Sequence, residues 1–166
     1  AYLQAIDKKY DVIMVDAYQD ITIPFQMSSV EFFTMVKEHL NENGVMVVNM
    51  NMLGNNEGNI NQYLSDTIAS VFDHIVTVDV DGSTNRELYA SSNADMVKTL
   101  ENNANETGHS DLRDMMLHVA DTSSVYEAGD YIMTDDKAPV ELLGMQVIDQ
   151  LIQGEVAYYK DIFEKD

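Results

Sequence analysis

Two acidic side chains at the end of an apolar run are the first residues in this sequence that could do chemistry. The segment "YDVIMVDAYQD" carries four consecutive apolar residues, 12–15, followed by Asp16 and Asp20. A continuous apolar run is typical of a strand covered on both faces, as in parallel sheets. Such sheets bind ligands at the carboxyl ends of their strands. We therefore predict that Asp16 faces a ligand, where a carboxylate can accept a proton or hold a positive charge.

The elements needed to position these acids alternate along the first half of the chain. Ser28 or Ser29 can cap a helix with Glu31 as its capping-box partner, and Gly44 is a candidate left-handed residue after that helix. The predicted order is strand "YDVIMVD", helix "VEFFTMVKEHL", strand "VMVVNMNM", helix within "NEGNINQYLSDTIASVF", strand "HIVTVDV" and a fourth strand "RELYASS" that pairs back on the third. This alternation predicts an α/β fold with a mostly parallel sheet flanked by helices.

The second half of the chain changes in character after residue 93. Segment 93–124 has helical periodicity, and segment 131–144 is a short extended piece that enters a turn, which Asp135 and Asp136 are expected to cap. Residues 145–163 predict a terminal helix, or two helices separated at Gly154. No internal repeat or low-complexity tract interrupts the sequence, so we expect residues 1–166 to form a single domain.

Composition narrows the range of partners. The formal net charge is −20, which repels phosphate backbones and makes nucleic acid an unsuitable partner. The charge would attract small cations, including polyamines, although solubility alone is the simpler explanation. No apolar run approaches the roughly 18 residues of a membrane span, so no membrane association is expected. The chain has no cysteine, which excludes disulfides and thiolate metal sites and fits a cytoplasmic location.

Two blocks of the sequence resemble one known family. The block "YDVIMVDAYQDITIPFQMSSVEFFTMVKEHLNENGVMVVNM" is similar to the second half of the spermidine synthase-like (polyamine aminopropyltransferase) domain, in which a "YDVIIVD" strand precedes an acidic loop, a proline and "EFF". The stretch "TDDKAPVE" is similar to "TDD-x-AP-x-E" near the end of the bacterial branch. The resemblance covers most of residues 2–145. It implies a partial Rossmann-like, methyltransferase-type fold with a helical C-terminal part.

The resemblance also implies a reaction, the transfer of an aminopropyl group from decarboxylated S-adenosylmethionine to a small cationic amine such as putrescine. An amine with a pKa near 10 is about a thousandfold more protonated than neutral at pH 7, so a carboxylate must orient it and accept its proton. By resemblance Asp16 matches the base and Asp20 the residue that holds the amine. Tyr18 and Gln19 lie between them and could touch the amine, and Pro24 matches a position near the adenine.

The sequence departs from the family in its acidic loop and upstream of it. "DAYQD" stands where proven synthases usually read "DSSDP", and no glycine-rich cluster follows a strand. We therefore expect the chain to be the C-terminal half of a spermidine synthase-like domain, with the cofactor-binding N-terminal half absent. We expect this fragment to be inactive alone and to bind no cofactor. Decarboxylated S-adenosylmethionine, or S-adenosylmethionine, would be the co-substrate of the full-length protein.

Two other functions stay open. "DAYQD" leaves room for a methyltransferase-like homologue with another nucleophile, and the acidic composition leaves room for a non-catalytic interaction module. An incomplete sheet would leave its first strand unpaired, which predicts self-association, such as a homodimer, or disorder there. The four histidines fall in no metal-binding motif, so we expect surface histidines and no metal site.

Overall fold

A mixed α/β structure is seen in the computed structural model, which describes residues 2–16, 24–51 and 57–163. Short 3₁₀ turns at Leu3–Ala5 and Phe25–Met27 precede the first strand and the first helix. The other elements, in chain order, are β1 (Tyr10–Val15), α1 (Val30–Glu38), β2 (Leu40–Asn51), α2 (Ile60–Ala69), β3 (His74–Asp79), β4 (Asn85–Ser91), α3 (Met96–Glu106), α4 (Ser110–Thr122), β5 (Ser124–Val125) and α5 (Val140–Phe163).

The strands form one five-stranded sheet in the order β1-β2-β4-β3-β5. β1 and β2 are parallel, whereas β4 lies between β2 and β3 and is antiparallel to both. β1, β2 and β3 therefore run in the same direction, and β4 pairs back on β3 as predicted. The α/β class with flanking helices is confirmed. The expectation of a mostly parallel sheet is corrected in one respect: because β4 is inserted, only β1 and β2 pair directly in parallel within the described chain.

The main core lies between one face of the sheet and helices α1, α2 and the start of α5. Alternate residues of β2 and β4 point into it, because side chains alternate between the two faces of a strand. The fully buried members include Phe33, Met46, Val48, Met50, Ile60, Leu64, Ile68, Leu88 and Met133. Helices α3 and α4 pack against each other, and α4 contacts β3. The C-terminal part of the described chain is helical, as the sequence predicts.

Strand β1 forms an edge of this sheet. The prediction that it is covered on both faces is wrong, since Val12 is 55% exposed and Met14 is 72% exposed. Its outer edge has no partner strand among the described residues. The predicted self-association through this strand stays a prediction.

In the segment that joins β1, α1 and β2, the predicted helix cap is confirmed, but the predictions for Glu31 and Gly44 are wrong. Ser29 is the N-cap of α1, and its Oγ accepts a hydrogen bond from the backbone N–H of Phe32 at 3.2 Å. Glu31 does not complete a capping box; its carboxylate instead accepts a hydrogen bond from the backbone N–H of Asp135. Gly44 lies within β2 and has no left-handed conformation.

Gly44 is required at this place for a different reason, the close approach of two strands. Tyr10 pairs with Leu40 but Val12 pairs with Val45, so β2 carries extra residues opposite the start of β1. A Cβ atom at Gly44 would come within 3.0 Å of the carbonyl oxygen of Tyr10. The Gly44 carbonyl itself accepts a hydrogen bond from the Ser91 hydroxyl at 2.9 Å. A side chain would therefore disturb the pairing of β1 with β2.

A buried carboxylate fixes the loop that leads to α5. Asp66 of α2 is fully buried and accepts hydrogen bonds from the Tyr126 hydroxyl (2.7 Å), the Gly129 N–H (2.9 Å) and the Tyr131 N–H (3.1 Å). Burial and the neighbouring Asp66 raise the pKa of Tyr126 far above its ordinary value, so its hydroxyl stays a donor. These three hydrogen bonds offset the free-energy cost of removing the Asp66 carboxylate from water.

Helix α5 is continuous from Val140 to Phe163. The alternative of two helices separated at Gly154 is wrong. The Asp135 carboxylate, which the sequence predicts to cap the turn before Pro139, accepts a hydrogen bond from the Ser29 hydroxyl. This contact ties the beginning of α1 to the segment that precedes α5.

His39 joins the N-terminal segment to the end of α1. Its Nδ1 lies 2.7 Å from the Met35 carbonyl oxygen, and its Nε2 lies 3.0 Å from the Ile6 carbonyl oxygen. A neutral imidazole can donate only one hydrogen bond, so both contacts require the imidazolium. These two carbonyl groups raise the pKa of His39. The expectation of surface histidines is wrong here, since His39 is half-buried.

We predict that Asp66→Asn lowers the free energy of unfolding by about 3 kcal/mol. The carboxylate offers two acceptor oxygens to three donors, whereas the amide offers one oxygen and adds a donor group. Urea denaturation measures the change. Asp130→Asn in the same loop is the matched control, since Asp130 is exposed and should change stability by less than about 0.5 kcal/mol. Equal stability of the two variants would contradict the role given to Asp66.

We also predict that part of the chain's stability disappears as the pH rises. The folded-state pKa of His39 is raised, so its contribution is complete below the ordinary histidine pKa of about 6.5 and is lost as the pH rises through the folded-state value. The measurement is the free energy of unfolding of the wild type minus that of His39→Gln at several pH values. A difference that grows with pH would have the wrong sign and would refute the assignment.

Candidate active site

Asp16 immediately follows β1 at the carboxyl end of that strand. Its carboxylate is exposed, and its Oδ1 accepts a hydrogen bond from the Asn49 side-chain Nδ2 at 3.1 Å. Asn49 lies near the carboxyl end of β2, the strand parallel to β1. Two adjacent parallel strands therefore place a carboxylate and the amide that orients it at the same edge of the sheet. The predicted location of Asp16 at the end of a strand agrees with the structure, although the strand is an edge strand.

A second carboxylate, which the sequence prediction missed, lies in line with this pair. Asn49 is the register partner of Glu87 on β4, so their side chains share one face of the sheet. Asp16, Asn49 and Glu87 thus form a row across three neighbouring strands, which we call the acceptor row. The sequence predicted the pairing of β4 with β3 but not its pairing with β2. The first pairing alone does not place Glu87 near Asn49 or Asp16.

The acceptor row is strongly negative. Burial raises the pKa of the half-buried Glu87 carboxyl, and the negative charge of Asp16 raises it further. The Asn49 Oδ1 atom is buried and has no hydrogen-bond partner among the described residues. The arrangement therefore offers oxygen acceptors and unbalanced negative charge, which is the chemistry that binds and orients a protonated amine.

Arg86, the neighbour of Glu87 in sequence, does not neutralise this row. Successive side chains of a strand point to opposite faces, and the Arg86 guanidinium binds the Asp79 carboxylate of β3 at 2.6 and 3.1 Å. That ion pair lowers the pKa of Asp79 and raises that of Arg86.

Of the other predicted site residues, the structure describes Pro24. Tyr18, Gln19 and Asp20 lie outside the described residues. Pro24 is exposed, and it immediately precedes the 3₁₀ turn Phe25–Met27 with its carbonyl accepting a hydrogen bond from the Met27 N–H at 2.8 Å. The predicted roles of these four residues stay predictions.

Across residues 2–16, 24–51 and 57–163, no group of three His, Asp or Glu side chains is arranged to hold a metal ion. No helix in the described ranges has the length and apolar character needed to cross a membrane.

The sequence is similar to a known protein family and to a curated protein. Residues 1–78 match the family described as "Spermine/spermidine synthase domain". The whole chain is 52% identical, over 183 aligned residues, to the "Probable polyamine aminopropyl transferase" of Bifidobacterium longum (strain NCC 2705). It covers 41% of that protein, so the chain spans about two fifths of the length of the curated relative.

Two solved structures are more distantly similar. A probable spermidine synthase from Corynebacterium glutamicum is 16% identical with a TM-score of 0.42, over 80% of this chain and 53% of that one. Human methyltransferase-like protein 13 in complex with SAH is 17% identical with a TM-score of 0.46, over 82% of this chain and 62% of that one. The family match and the 52% identical relative confirm the resemblance to the spermidine synthase-like family that the two sequence blocks predict.

Proposed function

We propose that this chain supplies the amine-activating part of a polyamine aminopropyltransferase, with Asp16 as the base. The observation that carries the proposal is the 52% identity, along the whole chain, to a probable polyamine aminopropyl transferase. The position of Asp16 supports it, since the carboxylate stands at the carboxyl end of β1 and is oriented by Asn49 of β2. The substrate class is a small cationic amine, which the negative acceptor row suits.

In the proposed reaction, the amine nitrogen attacks the propyl carbon bonded to the sulfonium of decarboxylated S-adenosylmethionine. The new C–N bond forms as the C–S bond breaks, and sulfur keeps the bonding electron pair. The leaving group is a neutral thioether, so it needs no general acid. Before the attack, the protonated amine gives one proton to the Asp16 carboxylate, which frees the nitrogen lone pair. The demanding step for the protein is therefore the orientation and deprotonation of the amine.

The geometry around Asp16 suits a base that must stay accessible. Its carboxylate is exposed, which allows an incoming substrate to reach it, and only Oδ1 is engaged by Asn49 in the described contacts. The Asn49 amide restricts the rotation of the carboxylate, so that Oδ2 can be presented to the amine. The resemblance to this family supports two further parts of the proposal: decarboxylated S-adenosylmethionine is the co-substrate, and Pro24 lies near its adenine.

Activity should be tested in a chimera, because the chain covers only 41% of the curated relative. This chain would replace the segment that it matches in the Bifidobacterium longum protein. We predict that the chimera transfers aminopropyl groups from decarboxylated S-adenosylmethionine to putrescine, and that Asp16→Asn lowers kcat at least about a hundredfold, since the amide cannot accept the proton. Product formation is followed by chromatography of the amines.

Asp11→Asn is the control for this experiment, because Asp11 lies at the opposite end of β1 and is also exposed. It should leave kcat within about twofold of the unaltered chimera. A chimera that accepts S-adenosylmethionine and methylates an acceptor, but transfers no aminopropyl group, would replace the proposed function with the methyltransferase alternative. A decrease of less than about tenfold in Asp16→Asn would remove Asp16 as the base.

A further inference from the structure

The last helix, α5, carries a row of apolar side chains that the rest of the described chain leaves exposed. The buried apolar side chains of α5 lie at its beginning, at Val140 and Leu143. From residue 145 onward, every residue whose burial the structure describes is exposed, and none of them contributes to the main core. Helical segments without tertiary packing are only marginally stable in water, so this part of α5 needs a partner.

The exposed apolar side chains share one face of α5. Their spacings are three, three, four and four residues. Since an α-helix turns by about 100° per residue, they fall within about 120° of its circumference and span about 21 Å. This row, which we call the α5 stripe, consists of Leu142, Met145, Ile148, Ile152 and Val156, which are between 36% and 61% exposed.

The size of the α5 stripe matches what a pair of copies of this chain needs. Its five side chains expose roughly 500 Å² of surface, and an apolar patch of this size on a soluble protein marks an interaction surface. Two stripes placed face to face would bury about 1,000 Å², which is the lower limit for a specific interface. The stripe alone is therefore large enough to hold two copies together weakly.

The spacing of the α5 stripe is self-complementary in an antiparallel pair. A two-fold axis beside Ile148 would place Leu142 opposite Val156 of the second copy. The same axis would place Met145 opposite Ile152 of the second copy. Both pairs lie within about one residue of exact register, a displacement of about 1.5 Å along the helix. Every member of the stripe thus meets an apolar side chain.

Charges at the two ends of α5 favour the antiparallel orientation over a parallel one. Glu141 lies in the first turn of the helix and Lys160 in the last turn. In an antiparallel pair, the first turn of each copy lies near the last turn of the other, so opposite charges come together, whereas a parallel pair would align like charges. The net charge of −20 repels the two copies as a whole, and salt screens that repulsion.

We propose that the α5 stripe is a docking surface for a second copy of this chain, and that the two α5 helices pair in antiparallel orientation about a two-fold axis beside Ile148. This surface is separate from the edge of β1, through which the sequence predicts self-association. The inference does not rest on the proposed function, because the stripe contains no residue of the candidate active site.

Analytical ultracentrifugation of this chain measures the pairing. We expect a dissociation constant of about 10 µM at about 0.15 M salt, and a severalfold lower one at about 0.5 M salt. Met145→Asp should raise the constant at least about tenfold, since each copy would then bury an unpaired charge. Met115→Asp is the matched control: Met115 is a similarly exposed methionine on α4, and its replacement should leave the constant within about twofold.

Cross-linking tests the orientation of the two helices. The chain has no cysteine, so an introduced thiol is the only one in each copy. Under mild oxidation with copper phenanthroline, Ile148→Cys should form a disulfide between two copies. A mixture of Leu142→Cys and Val156→Cys should form mixed disulfides, while each alone should remain largely unlinked. Leu112→Cys, at an exposed position of α4, is the control and should not be cross-linked.

Four results would overturn the inference. One is a chain that stays monomeric at about 100 µM, ten times the expected dissociation constant, which would leave the stripe to another kind of molecule. The second is equal weakening by Met145→Asp and Met115→Asp. The third is self-association that Val12→Asp abolishes and Met145→Asp keeps, since the interface would then be β1. The fourth is efficient cross-linking of Leu142→Cys with itself, which requires parallel helices. If Met145→Asp does not fold, absence of cross-linking in Ile148→Cys overturns the inference equally.

Discussion

The register between β2 and β4 is the constraint on which the rest of the structure depends. Met46 opposite Ala90 and Val48 opposite Leu88 are all fully buried on the core face. A slip of one residue would turn these side chains to the other face and expose them, so the pairing is strongly specified. The same register puts Asn49 beside Glu87 on the opposite face. The core thus determines the geometry of the candidate site without containing any of its residues.

Much of the fold could be predicted because it depends on local patterns. The apolar runs of β1, β2 and β3 and the apolar stripes of α1 and α2 are visible in the sequence, and so is the cap at Ser29. What could not be predicted depends on the order of strands in space. The insertion of β4 between β2 and β3 follows from long-range packing, and it alone explains why β1 and β2 are the only directly parallel pair in the described chain.

The same distinction between local patterns and long-range strand pairing applies to the residues of the candidate site. Asp16 could be identified because it ends an apolar strand and because the surrounding residues resemble a known family. Glu87 could not, since its relation to Asp16 passes through Asn49 and therefore through two strand pairings. Asp66 was missed because a polar residue in an amphipathic helix ordinarily faces solvent, whereas its partners lie some sixty residues further along the chain.

The three hydrogen bonds accepted by Asp66 determine which positions of the loop after β5 can vary in sequence. Two of its three donors are backbone amides, which any residue except proline can supply at positions 129 and 131. Side-chain identity matters at Tyr126 for its hydroxyl, and at Gly129, where a Cβ atom would stand 2.6 Å from an Asp66 oxygen. The path of this loop is thus fixed by a helix distant from it in sequence, so exposed loop positions such as Glu127 and Asp130 can vary without changing that path.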